Sequence, residues 1–103
     1  MSLSDAAESA FLEGLKAVED GELSNALEKF TRACALNPAE PRYQGYRAWT
    51  QYHNHDASES KDRREAVEED SYQKLQSAVE ECPDYDPLYV LLGTIHMAEG
   101  RPQ

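Results

Sequence analysis

The sequence is short of what most enzymes and most membrane segments require. Only two cysteines, Cys34 and Cys82, occur in 103 residues. They stand far apart and match no metal-ligand spacing, which argues against a zinc knuckle or a disulfide-stapled scaffold and predicts reduced, packed thiols. Four valines and one isoleucine leave extended strands without their usual formers. Ala, Glu and Leu are abundant and favour helix instead. No apolar run approaches the roughly 20 residues of a membrane span. The first residues, with Ser4, Asp5 and Glu8, do not make the basic-then-apolar pattern of a leader. Basic residues number 10 against 20 acidic ones, for a net charge of -10. Such a surface repels phosphate backbones and anionic headgroups, so neither nucleic acid nor a membrane is an expected partner. Glycine-rich phosphate loops, a Ser-His-Asp order and paired carboxylates in an apolar setting are all missing. No catalytic residue and no cofactor is therefore assigned. The expectation is a soluble, cytoplasmic, non-enzymatic domain with one modest core.

What is present is helical rhythm. Ser4 is a candidate N-cap, and Phe11, Leu15 and Val18 then recur at helical spacing. Asp20-Gly21 breaks this helix, because glycine takes the left-handed conformation needed just past a helix end. Leu23, Ala26, Leu27, Phe30, Ala33 and Cys34 trace a second helix, and Asn37-Pro38 stops it.

These residues resemble the tetratricopeptide repeat, whose pattern is W-x2-L-G-x2-Y, then A-x3-F, then P, in about 34 residues. Gly14, Ala26-x3-Phe30 and Pro38 fall in register with it, and Ala33 takes the family's other small position in the second helix. Small residues there let two backbones approach while Phe30 fills the gap between them. Ala10 and Glu13 stand where the family has Trp and Leu, and Phe11 carries the bulk one residue later. From Asp86-Pro87 onward, Tyr89-x2-Leu92-Gly93-x2-His96 reproduces the first half of the motif. Phe30 to Leu75, Ala33 to Ala78 and Pro38 to Pro83 share one common separation. That separation is one period of about 34 plus an insertion of about 11, placed at residues 53–60. Asp56 and Glu59 could cap the helix that follows.

The resemblance implies an all-α array of antiparallel helical hairpins forming a superhelix, with five helices at about 5–19, 23–36, 41–54, 58–81 and 86–98. The units are a first repeat at about 7–40, a second at about 41–85 with the insertion, and the first helix of a third at about 86–99. A generic helical bundle is the alternative.

The resemblance further implies a non-catalytic module that takes a peptide or partner helix in a concave groove. The groove positions fall on Phe11, Leu12, Leu15 and Val18, then Arg42, Tyr46, Trp49 and Tyr52, then Leu91, Thr94 and Met97. A one-residue shift of the third helix would instead present Tyr43, Arg47, Thr50 and His53 and make the aromatic stripe core. An aliphatic and aromatic lining under an acidic rim suits an apolar or basic segment. Family members that grip chaperone tails use Lys, Asn and Arg; the matching positions hold Phe11, Leu15, Tyr46 (Arg47 if shifted), Pro87 and Leu91. Apolar groups cannot pair a carboxylate, so a chaperone C-terminal tail is not an expected ligand. His53, His55 and Asp56 read as solvated loop, with no metal site assigned. Glu65, Glu68, Glu69 and Asp70 read as the solvated face of a helix that could also dock a basic partner. A second reading is structural: the final helix is apolar on nearly every side, so Leu88, Leu92 and Ile95 could mediate homo-oligomer contacts or receive a further helix of a longer chain.

Overall fold

The computed structural model describes residues 2–54 and 60–99. Five α-helices occupy them, α1 (Leu3–Glu19), α2 (Leu23–Leu36), α3 (Pro41–His53), α4 (Lys61–Glu81) and α5 (Asp86–Glu99), and no strand occurs among the described residues. The fold class is all-α, in helical hairpins. α1 packs on α2 and α3 on α4, while α3 also leans on α2 and α5 leans on both α3 and α4.

Local chemistry sets the boundaries. The Ser2 hydroxyl, not Ser4, caps α1 by accepting from the Asp5 N–H at 3.1 Å. This adds a half-turn to the expected helix, since Ser4 is already inside it. At the other end Gly21 adopts φ +77°, the Gly21 N–H donates to the Val18 carbonyl at 3.0 Å and the Glu22 N–H to Ala17 at 2.8 Å. That pair of bonds satisfies carbonyls a helix end otherwise leaves orphaned. Pro41 occupies the first turn of α3, where a missing N–H costs nothing. Ser60 caps α4 by accepting from the Arg63 N–H at 3.2 Å. The proposed Asp56–Glu59 cap and most of the 53–60 insertion lie outside the described residues.

Two cores form, one per hairpin. In the first, Ala7, Ala10, Gly14 and Ala17 make a small-residue stripe along α1, and Ala26, Phe30 and Ala33 face it from α2. The stripe has a notch at Gly14: a Cβ there would lie 2.4 Å from Phe30 Cε1. Phe30 is thus the wedge that fixes how α2 sits on α1. In the second core Leu75 and Ala78 of α4 meet Ala48 of α3, with Leu88, Leu91 and Ile95 of α5 added. Tyr46 packs against both cores and joins them.

The hairpins repeat in contacts as well as in spacing. The Phe11 ring of α1 lies 4.9 Å from the Tyr43 ring of α3. One repeat later the notch at Gly45 receives Leu88, whose Cδ2 would be 2.6 Å from a Cβ built there. Gly45 stands one repeat period after Phe11, and Leu88 stands one period plus the insertion after Tyr43. α5 is thereby seated on α3, while α3 rests mainly on α2 and reaches α1 through the Tyr43 and Arg42 side chains.

Candidate functional site

The face shared by α1, α3 and α5 carries the polar and aromatic groups that could recognise a ligand. Its α1–α3 end is an ion cluster. The Arg42 guanidinium donates to Glu40 Oε1 at 2.9 Å and to Glu8 Oε2 at 3.1 Å, and the Tyr43 hydroxyl donates to the same Glu8 carboxylate. Arg42 also lies over three rings, 5.4 Å from Phe11, 5.3 Å from Tyr43 and 5.8 Å from Tyr85. Such a planar cation gains from both contacts at once. The bond from Tyr43, and then Arg42, hold the Glu8 carboxyl below its ordinary range. Burial, and then the bond to Glu8, push the Tyr43 phenol up to about 12. Two carboxylates around one guanidinium leave this end with a net charge of −1, so the Arg42 charge is already spent inside the cluster.

The α3–α5 end is apolar and open. The Trp49 indole N–H donates to Thr94 Oγ1 at 2.9 Å, and Thr94 donates in turn to the Leu91 carbonyl at 2.7 Å. Val90 and Met97 flank Thr94 at helical spacing on the same face of α5. They are 64 % and 76 % exposed, so two large apolar side chains stand open together on one face of the helix. Tyr46 connects the two ends; burial, and then the neighbouring Tyr85, raise its phenol above the ordinary value.

Several expected groove residues sit elsewhere. Phe11 is only 2 % exposed, because Tyr43, Tyr46 and Arg42 close over its ring. Tyr52 and Leu91 are also core residues, held in the second cluster. Leu15 and Val18 are half-buried against the first cluster, and Leu12 is exposed. Arg42, Tyr46 and Trp49 keep part of their surface open, as do Arg47 and His53 of the shifted register, while its Tyr43 and Thr50 are buried. Neither register describes α3 fully. His53 packs its ring against Trp49 at 4.8 Å and Tyr52 at 4.9 Å, and His55 and Asp56 lie outside the described residues.

The proposed self-association face needs correction. Leu88 and Ile95 have no exposed surface and Leu92 is half-buried, so the first two are core. Their burial follows from Gly45, whose missing side chain leaves room for Leu88 to enter. Sequence reasoning missed Val90, Tyr85, Glu8 and Glu40. For Val90 a signal existed: Tyr43, Tyr46 and Thr50, carried forward by one period plus the insertion, give Leu88, Leu91 and Ile95 as the packed stripe of α5. Val90 then falls outside that stripe. For the Glu8–Arg42 pair, distant in the chain, no local pattern marks the contact.

The remaining groups show how the acidic surface is arranged. In α4 Lys74 pairs with Asp70 at 2.9 Å and Lys61 with Glu65 at 3.9 Å. Both are exposed i,i+4 pairs of small energetic weight. Cys34 and Cys82 are free thiols whose pKa values burial raises, which disfavours the reactive thiolate. No described helix is long and apolar enough to cross a membrane, and no three His, Cys, Asp or Glu side chains among the described residues converge on a metal-sized site. Comparison with protein-family models, curated protein sequences and solved structures finds no match.

Proposed function

We propose that the chain is a non-catalytic protein-interaction module of tetratricopeptide type, which takes an extended peptide along the face shared by α1, α3 and α5. The observation that supports this reading best is the strip formed by Trp49, Thr94, Val90 and Met97. Two large apolar residues there stay open beside an indole held in place by a hydrogen bond. Exposed apolar area next to a rigid aromatic group is a common anchor for a partner side chain. The cluster at the other end, with Glu8 and Glu40 around Arg42, adds an anionic terminus. The preferred ligand is therefore a segment with an apolar residue for the strip and a basic residue for the cluster. A free C-terminal carboxylate fits poorly, because Arg42 is already neutralised.

The test uses the single tryptophan. Peptides selected on the chain from a random display library should shift Trp49 emission on binding. Paired Val90→Glu and Met97→Glu changes should abolish capture and leave helical circular dichroism unchanged, since both side chains are exposed. Selected peptides that bind the double variant as well as the parent, with no change in Trp49 emission, would refute the reading.

A further inference from the structure

Two cysteines and two methionines carry the sulfur of the chain. Met1 lies outside the described residues, and the other three stand in contrasting surroundings. Cys34 is 8 % exposed and belongs to the first core. Cys82 is half-buried at the end of α4, where its thiol donates to the Ala78 carbonyl at 3.1 Å. Burial raises the pKa of both thiols, and a thiol attacks an oxidant only as its thiolate. Met97, by contrast, is 76 % exposed. A thioether has no proton to lose, so its sulfur lone pair is available at any pH.

Met97 also stands where a change of polarity has a consequence. It shares one face of α5 with Val90 and Thr94, beside the Trp49 indole. Trp49 and Thr94 are the side-chain donors of this strip, and both are engaged. The indole N–H donates to Thr94 Oγ1 at 2.9 Å, and the Thr94 hydroxyl donates to the Leu91 carbonyl at 2.7 Å. An oxygen added to the Met97 sulfur therefore finds neither donor free once a ligand has excluded water. We propose that Met97 is an oxidation site that switches the strip off by taking one oxygen atom from hydrogen peroxide. The sulfur lone pair attacks one peroxide oxygen, and the O–O bond breaks as the S–O bond forms. The leaving oxygen collects the proton of the transferred one and departs as water. Sulfur loses two electrons and the peroxide gains them, which leaves a methionine sulfoxide. That group is polar and accepts hydrogen bonds, so beneath an apolar ligand side chain its oxygen is unpaired and the ligand is released. Methionine sulfoxide reductases return the thioether, so the step can be reversed. The switch rests on the peptide reading of the strip, whereas the place of oxidation is measured without it.

The experiment treats the full chain with hydrogen peroxide at about pH 6, where thiolates are scarce, and locates oxygen uptake by peptide mass mapping. The peptides selected by display are then titrated against treated and untreated chain at neutral pH and followed by Trp49 emission. Met97 should take up one oxygen before either cysteine does, with helical circular dichroism unchanged. Capture should then weaken at least about fivefold, and reductase treatment should restore it. Met97→Gln, a polar side chain of similar length, should weaken capture without any peroxide. Met97→Leu, which keeps an apolar side chain, Met1 and both thiols, should lose none of its own affinity on treatment. Three results would each overturn the switch and leave the peptide reading standing: parental capture by chain oxidised at Met97, cysteine oxidation ahead of Met97, or a peroxide-induced loss of capture in Met97→Leu. An untreated chain that captures no peptide would refute the peptide reading itself, and the switch with it.

Discussion

Replacing Gly14 and Gly93 by alanine, one at a time, should move stability in opposite directions. The two glycines lie at matched positions of matched helices, so the helix-propensity term is the same. Alanine in a helix interior gains about 0.5–1 kcal/mol over glycine. At Gly93 nothing opposes that gain, because no atom lies within 4 Å of the new methyl. At Gly14 the methyl would sit 2.4 Å from Phe30 Cε1 and 2.6 Å from Cδ1, about 1 Å inside normal carbon contact. Phe30 cannot retreat: it has no exposed surface, and the Phe11 and Tyr46 rings stand 5.8 and 5.5 Å away. Overpacking of this kind costs about 1–3 kcal/mol, which exceeds the propensity gain. The shared propensity gain cancels, so the two variants should differ by the overpacking cost of about 1–3 kcal/mol. Thermal melts by circular dichroism should show Gly93→Ala above the parent and Gly14→Ala below it, at about 4–8 °C per kcal/mol for a domain of this size. Urea midpoints with unchanged slopes should give the same order. Gly21→Ala is a useful third case, since its penalty arises from φ +77° with no neighbour within 4 Å. A stabilising Gly14→Ala would refute the wedge, and a destabilising Gly93→Ala would refute the open notch.

Ser71→Ala should raise stability by about 0.5–2 kcal/mol, because its buried hydroxyl has no hydrogen-bond partner among the described residues and alanine favours helix; a lower urea midpoint would show that the hydroxyl is satisfied in solution. Leu88→Glu should unfold the second hairpin, because it buries a charge in a site with no exposed surface. A Leu88→Glu chain with parental melting would restore this residue to the surface. The Glu8–Tyr43 contact predicts two stability losses. Glu8 is held below its ordinary 4.5, so its contribution is present at neutral pH and fades as pH falls below about 4.5. Tyr43 is raised from 10.0 to about 12, so its contribution is complete below pH 10 and fades as pH rises towards 12. Urea midpoints measured across pH check both, and Tyr43→Phe should remove the alkaline loss that is specific to this phenol.

Helix number and most boundaries were legible because their causes are local; the start of α4, expected at about 58, lies instead at Lys61 behind the Ser60 cap. Gly21, Asn37-Pro38 and Asp86-Pro87 stop or start helices within a few residues of themselves, and capping hydroxyls act over one turn. Even the error at Ser4 is local: two serines compete, and Ser2 takes the cap. Which face of α3 is buried was not legible. Tyr43, Tyr46, Trp49, Thr50 and Tyr52 place a ring or a branched side chain on almost every side, so periodicity selects no stripe. Burial there is decided from outside α3, by Phe11 beneath Tyr43 and by α5 in the core that holds Ala48. α5 posed the same difficulty with aliphatic residues, and Leu88 and Ile95 were misassigned for that reason.

The misplacement of Phe11 also explains where the open surface went. In α1 the bulky ring lies at a position that turns toward the next hairpin, and the small residues Ala7, Ala10, Gly14 and Ala17 turn toward α2. Phe11 is consumed in holding α3, through Tyr43 and Tyr46. At the matching position α3 has Gly45, which draws Leu88 inward and seats α5 close. The packed stripe of α5 is thereby fixed as Leu88, Leu91 and Ile95, and rotation about the helix then dictates the rest. Val90, Thr94 and Met97 then turn to the Trp49 side, and Tyr89, Leu92 and His96 turn toward the side where His96 meets Tyr72 of α4. One glycine, a single repeat period after Phe11, thus determines both apolar surfaces that α5 offers. Gly45→Ala should disturb both surfaces together, shifting Trp49 emission and the Tyr89 and His96 resonances in one variant. A Gly45→Ala chain that loses stability but leaves those signals in place would break the link between the notch and the orientation of α5.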